Sequence, residues 1–150
     1  MPDLKELYQQ VLLEHSKQPR NFREMPNANR RAEGYNPLCG DRVNVYLVLD
    51  GDTIIDVSFT GSGCAICTSA SSIMTQILKG KSFKQAQTLF TRFRELVTGQ
   101  LDPVEDISDL EKLTVFSGVR EYPIRVKCAT LPWHTMKAAL DNRQAVISTE

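Results

Sequence analysis

The sequence predicts an α+β fold built around an antiparallel hairpin. Apolar and polar residues alternate from 42 to 60 around a tight Asp50-Gly51 turn, and apolar residues elsewhere recur at helical spacing. The two strand patterns and five helical patterns are clustered by type instead of alternating, the arrangement of segregated sheet and helices.

Asp3-Leu-Lys-Glu6 reads as a capping box, and Leu4, Leu7, Tyr8, Val11 and Leu12 give one apolar stripe, so a first helix should fade near His15. Pro19, Pro26 and several Asn and Arg residues then mark an irregular polar connection to about Pro37. Val43, Val45, Leu47 and Leu49 alternate with Arg42, Asn44 and Tyr46, and Ile55, Val57 and Phe59 alternate on the returning strand. Gly61-Ser-Gly63 breaks that strand, after which Ile66, Ala70, Ile73 and Ile77 predict a helix ending at Gly80. Ser82-Phe-Lys-Gln85 is a second capping box, followed by the stripe Ala86, Leu89, Phe90, Phe93, Leu96 and Val97. Gly99 stands where a left-handed residue closes a helix. Ser108-Asp-Leu-Glu111 caps a shorter helix to about Phe116. Pro123 interrupts, and Trp133, Met136, Ala139 and Leu140 predict a terminal helix with Cys128 just ahead of it.

A length of 150 residues implies one domain over 1–150, enough to bury about two-thirds of the unfolded surface. Lys plus Arg and Asp plus Glu both number 18, so no excess charge draws the chain to nucleic acid or to an acidic membrane surface. No apolar run approaches the ~18 residues of a membrane span. Met1-Pro-Asp-Leu-Lys-Glu6 lacks the apolar core of a signal peptide. A cytoplasmic, reducing location is therefore expected, where four cysteines read as metal or sulfur chemistry before disulfides.

Three of those cysteines have unusual settings. Cys39 lies in the turn-rich Asn36-Pro-Leu-Cys-Gly-Asp41, Cys64 in Gly61-Ser-Gly-Cys-Ala-Ile-Cys67 at a strand-to-helix change, and Cys128 in Arg125-Val-Lys-Cys-Ala129. In an antiparallel pair with a short turn, residues 41 and 61 lie at the same sheet end, so Cys39 and Cys64 should be neighbours. Cys128 has to be delivered by tertiary packing. Together with Asp41 they could offer three sulfurs and one oxygen to zinc or iron, which needs such donors within about 2.0–2.3 Å. Cys64 opens a helix, where unpaired N–H groups favour a thiolate. The glycines around Cys64 and after Cys39 let the thiols move, which suits a sulfur carrier better than a structural zinc site.

Plainer readings stand beside these. A free cysteine is often inert core packing, and that reading is preferred for Cys67, as packing or as a neighbour of the ligands. Cys64-Ala-Ile-Cys67 has thioredoxin-like spacing, but a hairpin precedes it instead of the usual strand-helix-strand context. His15 and His134 sit within helical stretches and read as solvated or packed. Arg125 and Lys127 are either surface charge or holders of a sulfur anion near Cys128. Metal, sulfur carriage and packing all remain open on the residues alone.

At four places the chain resembles the U-type iron–sulfur cluster assembly family, with the IscU/NifU N-terminal fold, and most closely its SufU branch. They are Asn36-Pro-Leu-Cys-Gly-Asp41, Gly61-Ser-Gly-Cys-Ala-Ile66 with the Ser-rich Thr68–Ser72, Lys79-Gly-Lys81, and Arg125-Val-Lys-Cys128. Two departures from the IscU pattern favour SufU: Lys127 stands where a histidine typically precedes the third cysteine, and an additional stretch runs from about Phe90 to Ser108. The resemblance implies a small antiparallel sheet of about three strands with helices on one face, the SufE/NifU (IscU-like) fold. The third strand would have to come from the segment before Gly34 or around Ala28–Arg31.

It also implies that Cys39, Asp41, Cys64 and Cys128 bind one Zn2+ tetrahedrally. The protein would take persulfide sulfur from a PLP-dependent cysteine desulfurase (SufS-like) and pass it to a downstream scaffold (SufBCD-like), with Cys39 as the acceptor because its Pro37/Gly40 loop is the most mobile mount. A scaffold for a transient [2Fe-2S] cluster uses the same ligands. A purely structural zinc module and a Cys64/Cys67 thiol oxidoreductase complete the alternatives.

Overall fold

The computed structural model describes residues 4–100, 108–142 and 147–148. In chain order the elements are α1 (Leu4–Lys17), β1 (Arg30–Asn36), β2 (Asp41–Asp50), β3 (Thr53–Ser62), α2 (Ala65–Leu78), α3 (Phe83–Thr98), a 3₁₀ segment (Ser108–Glu121), α4 (Pro123–Leu140) and β4 (Ile147–Ser148). The sheet order is β3-β2-β1-β4, three antiparallel strands with the two-residue β4 added parallel to β1. The α+β architecture expected from the sequence is the one observed.

Gly51 and Asp52 join β2 to β3, with Gly51 in the left-handed region at φ 63°. Val43, Val45 and Leu47 of β2 and Val57 and Phe59 of β3 are buried together, as the alternation requires. The pattern fails at Ile55, which is exposed while Ile54 is fully buried. The cause is a register irregularity: Val48 pairs with Asp56 but Leu49 pairs with Ile54. One extra residue on β3 moves every later side chain to the opposite face.

β1 occupies much of the stretch that reads as an irregular connection, and supplies the third strand the family resemblance implied. It lacks an apolar signature because α4 lies against it. A Cβ on Gly34 would sit 2.0 Å from Thr135 Oγ1 and 3.0 Å from a Leu131 methyl, so nothing larger fits there. Ala32 and Gly34 face inward where a typical strand would show Val or Ile.

The helices cover one face of the sheet. Ile73 and Met74 of α2, Phe93 of α3, and Leu131, Trp133 and Met136 of α4 share a single core with the inward residues of β2 and β3. Trp133 stacks on Phe93 with centroids 5.3 Å apart, and Phe93 meets Phe116 edge-on at 5.6 Å. Each such fully buried side chain contributes about 1.5–3 kcal/mol, so this aromatic run fastens α3, the 3₁₀ segment and α4 together. The α3 capping box is formed as read: Ser82 Oγ accepts the Gln85 N–H at 3.1 Å and Gln85 Oε1 accepts the Ser82 N–H at 2.9 Å. Gly99 closes the helix at φ 76°.

Three details differ from the sequence reading. The segment after Ser108 is 3₁₀ in character and runs to Glu121, past Phe116. Pro123 opens α4 instead of interrupting it, since a first helical position needs no N–H. Cys128 therefore lies inside α4, not ahead of it. The Asp3 cap expected for α1, and the side chains of Ser108, Asp109 and Glu111, lie outside the described residues.

Both histidines are packed. His15 is buried, with Nδ1 2.7 Å from Ser72 Oγ, which also accepts the Arg20 N–H at 2.8 Å. This buried polar junction ties α1 and the chain after it to α2. His134 meets Phe90 edge-on at 5.0 Å. Among the described residues, no helix is long and apolar enough to cross a membrane.

Candidate metal centre

Asn36 ends β1 and Asp41 starts β2, and the two pair across the strands, closing the Pro37–Gly40 loop that carries Cys39. Gly40 turns this loop at φ 72°. β3 returns beside β2 as far as Ser62, opposite Arg42, and the chain then passes close against Asp41. A Cβ on Gly61 would lie 2.1 Å from the Arg42 carbonyl oxygen, and one on Gly63 would lie 2.7 Å from Asp41 Oδ1. These two glycines let the chain turn directly past the carboxylate into α2, whose N-cap is Cys64. α4 delivers Cys128 from above. Pro132, one turn further on, has no N–H to donate to the Cys128 carbonyl.

The outcome is a cluster. Cys39, Asp41 and Cys128 present ligand atoms that all lie within 4.8 Å of one another. The Cys128 thiol donates to Cys39 Sγ at 3.2 Å, and the Cys64 N–H donates to Asp41 Oδ1 at 2.8 Å. Asn36 Nδ2 donates to Asp41 Oδ2 at 3.2 Å and to Cys128 Sγ at 3.6 Å. Cys64 lies beside this group with its N–H on Asp41, but its Sγ is not among the ligand atoms that meet within 4.8 Å. The topological expectation that Cys39 and Cys64 flank one sheet end holds, and tertiary packing supplies Cys128.

The electrostatics separate Cys64, Cys67 and Cys128. The hydrogen bond from Cys128 lowers Cys64 to about 6, against the opposing effect of burial, with the Cys67 and Ile66 amides at the start of α2 assisting. The same bond, followed by burial, pushes Cys128 upward. Cys67 is buried and its thiol is pushed up, first by burial and then by the neighbouring Asp41 and Cys64 charges. It packs in the core beside the cluster, and both its burial and its raised thiol weigh against a dithiol exchange through Cys64 and Cys67. The exposed Arg125 has its charged form favoured, first by Cys64 and then by a hydrogen bond with Cys128.

Asp41 is fully buried, and among the described residues no Lys or Arg pairs with it. A buried carboxylate set among thiols, with no protein cation against it, is the donor set of a borderline-soft metal ion. Asn36 is the residue that sequence reasoning missed. The Asn-Pro pair before Cys39 was visible as turn chemistry, but nothing in the pattern reports that its amide turns inward.

Residues 7–129 match the NifU-like N terminal domain. This chain belongs to that family. Relatives of the NifU-like N-terminal domain family cover nearly all of it. It is 38% identical over 136 residues to the zinc-dependent sulfurtransferase SufU of Bacillus subtilis, covering 90% of each chain. It is 36% identical over 137 residues to the iron-sulfur cluster assembly scaffold protein IscU of Streptococcus pyogenes, covering 91% of this chain and 84% of that one. A solved structure from Fervidobacterium islandicum, described as an iron-sulfur cluster assembly scaffold protein for the SUF system, superposes with a TM-score of 0.83. It is 33% identical and covers 92% of this chain and 99% of its own.

Proposed function

We propose that this member of the NifU-like N-terminal domain family is a zinc-dependent sulfur-transfer protein. It holds one zinc ion with Cys39, Asp41, Cys64 and Cys128, and it accepts persulfide sulfur at Cys39 from a PLP-dependent cysteine desulfurase (SufS-like). It then passes the sulfur to a cluster scaffold (SufBCD-like) in the cytoplasm. The observation that carries this reading is the meeting of the Cys39 and Cys128 thiols with a buried carboxylate, Asp41, that pairs with no Lys or Arg among the described residues and is held by the Cys64 N–H. The relative named as a zinc-dependent sulfurtransferase supports it.

The donor set fits zinc, which when bound keeps thiols deprotonated while lowering their nucleophilicity. The protein's own parts do the rest. Cys128 is fixed within a helix and buried, and Cys64 is fixed at a helix N-cap whose N–H holds Asp41. Cys39 rides a four-residue loop, half-buried, beside a left-handed glycine, so it is the thiol free to swing outward. Its thiolate attacks the outer sulfur of the partner's cysteine persulfide. A new S–S bond forms to Cys39, the old S–S bond breaks, and its electron pair leaves with the partner's cysteine thiolate. No external oxidant is required. Leu38, next to Cys39, and Tyr122 and Ile124, at the start of the helix that carries Cys128, are exposed apolar side chains that a partner can cover.

Desulfurase turnover with and without the chain tests the reading. The unchanged chain should raise it, and Cys39→Ala should remain folded without raising it. Parent-like stimulation by Cys39→Ala would end the assignment. A second reading, a scaffold for a transient [2Fe-2S] cluster, is favoured by the same Cys39, Asp41 and Cys128 group and by the IscU-named relative. Lys127, where the IscU pattern has histidine, counts against it. Colourless protein with one zinc supports transfer, and a brown chromophore supports the scaffold.

A further inference from the structure

Asn36 is fully buried at the end of β1, and its amide reaches both the thiol cluster and the backbone of the loop that carries Cys39. Nδ2 donates to Asp41 Oδ2 at 3.2 Å and to Cys128 Sγ at 3.6 Å, and Oδ1 accepts the Leu38 N–H at 3.3 Å. The partners fix its orientation. Turned over, Oδ1 would face the Asp41 carboxylate and the NH₂ would face the Leu38 N–H, two repulsive contacts in place of attractive ones. Asp41 is thereby held at both oxygens, Oδ2 by Asn36 and Oδ1 by the Cys64 N–H at 2.8 Å.

The amide treats the sulfurs unequally. Among the described hydrogen bonds it donates to Cys128 and to no other thiol, while its carbonyl ties down the loop that carries Cys39. A hydrogen bond donated to a sulfur draws electron density from it, and a sulfur so engaged is a weaker nucleophile. We propose that Asn36 is a positioning residue that biases the choice of sulfur acceptor: its amide quiets Cys128 and fixes Asp41, leaving Cys39 the more reactive of these two thiols. The Leu38 N–H bond to Asn36 Oδ1 is the latch that the Cys39 loop releases as it swings out. This inference deepens the sulfur-transfer reading and rests on it, but its test needs no desulfurase.

The test uses the full chain loaded with Co2+ as a spectroscopic stand-in for zinc, comparing the parent with Asn36→Leu, which is near-isosteric and makes no hydrogen bonds. Loss of the N–H···S bond raises the energy of the Cys128 sulfur electrons, so the sulfur-to-cobalt absorption band should move to longer wavelength. In the zinc-loaded chains, limiting methyl methanethiosulfonate followed by mass spectrometry gives the ratio of Cys39 to Cys128 modification. That ratio should fall about ten-fold in Asn36→Leu, the scale on which outer hydrogen-bond partners of metal ligands act. A merely structural role would change both thiols together and leave the ratio alone. An unmoved band, or a ratio within about two-fold of the parent in a folded, loaded variant, overturns the proposal. Should Asn36→Leu fail to fold, Asn36→Ala is read against the same limits. If the ratio behaves as expected but the parent fails to stimulate a desulfurase, the functional reading falls and the role of Asn36 stands.

Discussion

Gly63→Ala isolates the coupling between backbone and site. Gly63 is not in the left-handed region, so its backbone accepts alanine without strain. The obstacle is Asp41: the new methyl would lie 2.7 Å from Oδ1 and 3.2 Å from both Cβ and Cγ. Asp41 cannot simply retreat, because it is fully buried and its Oδ2 is held by Asn36. Relief must come by parting Oδ1 from the Cys64 N–H. Overpacking of this kind costs about 1–3 kcal/mol, and a hydrogen bond to a charged group is worth about 1.5–3 kcal/mol. With about 1.4 kcal/mol per decade, zinc affinity should fall ten- to hundred-fold while the fold survives. Competition with a chromophoric chelator measures this, with circular dichroism to confirm folding. Gly118→Ala is the control, since a methyl there meets nothing within 4 Å. Affinity of Gly63→Ala within about two-fold of the parent would refute the reasoning.

Burial, then the Arg20 and Lys112 cations, hold His15 below its ordinary value. The unfolded chain therefore binds the proton first, so stability is full above an unfolded value of about 6.5 and is lost as pH falls toward the lower folded value. The drop in urea midpoint between about pH 7.5 and 5.5 should be smaller in His15→Gln than in the parent, and equal drops would contradict the junction described. The β3 irregularity makes a paired prediction: Ile54→Ala should cost about 2–5 kcal/mol, whereas Ile55→Thr should stay within about 0.5 kcal/mol, both by urea denaturation. Cys67→Ala should lose about 1 kcal/mol of stability yet keep one zinc and full stimulation of a desulfurase. Loss of zinc in that variant would show that Cys67 is more than packing.

The legible parts of the fold are those where one residue type has one local meaning. The β2–β3 hairpin follows from period-two alternation, and α3 follows from a stripe bounded by Ser82, Gln85 and Gly99, all of which act as read. β1 escaped notice because α4 crosses it too closely for side chains on Gly34, which erases the apolar alternation that marks a strand. Ile55 misled because a one-residue bulge is invisible in a period-two pattern. Cys128 was placed one element early because Pro123 has two meanings, breaker inside a helix and starter at its first turn. At the site, the hairpin argument placed the Cys39 loop and the Cys64 turn at one sheet end from topology alone. The approach of Cys128 depends on how α4 packs across β1 and β2, which no local pattern encodes. Asn36 lies between these cases: its neighbours announce a turn, but the inward direction of its amide is a tertiary fact.

X-ray absorption at the zinc edge of the purified full chain bears most directly on the convergence of the four ligands. The account predicts one zinc with about three sulfur neighbours near 2.3 Å and one oxygen near 2.0 Å. Two or fewer sulfurs, or a shell of nitrogen and oxygen alone, would mean that Cys39, Cys64 and Cys128 do not meet on one ion, and the sulfur-transfer mechanism built on them would fail.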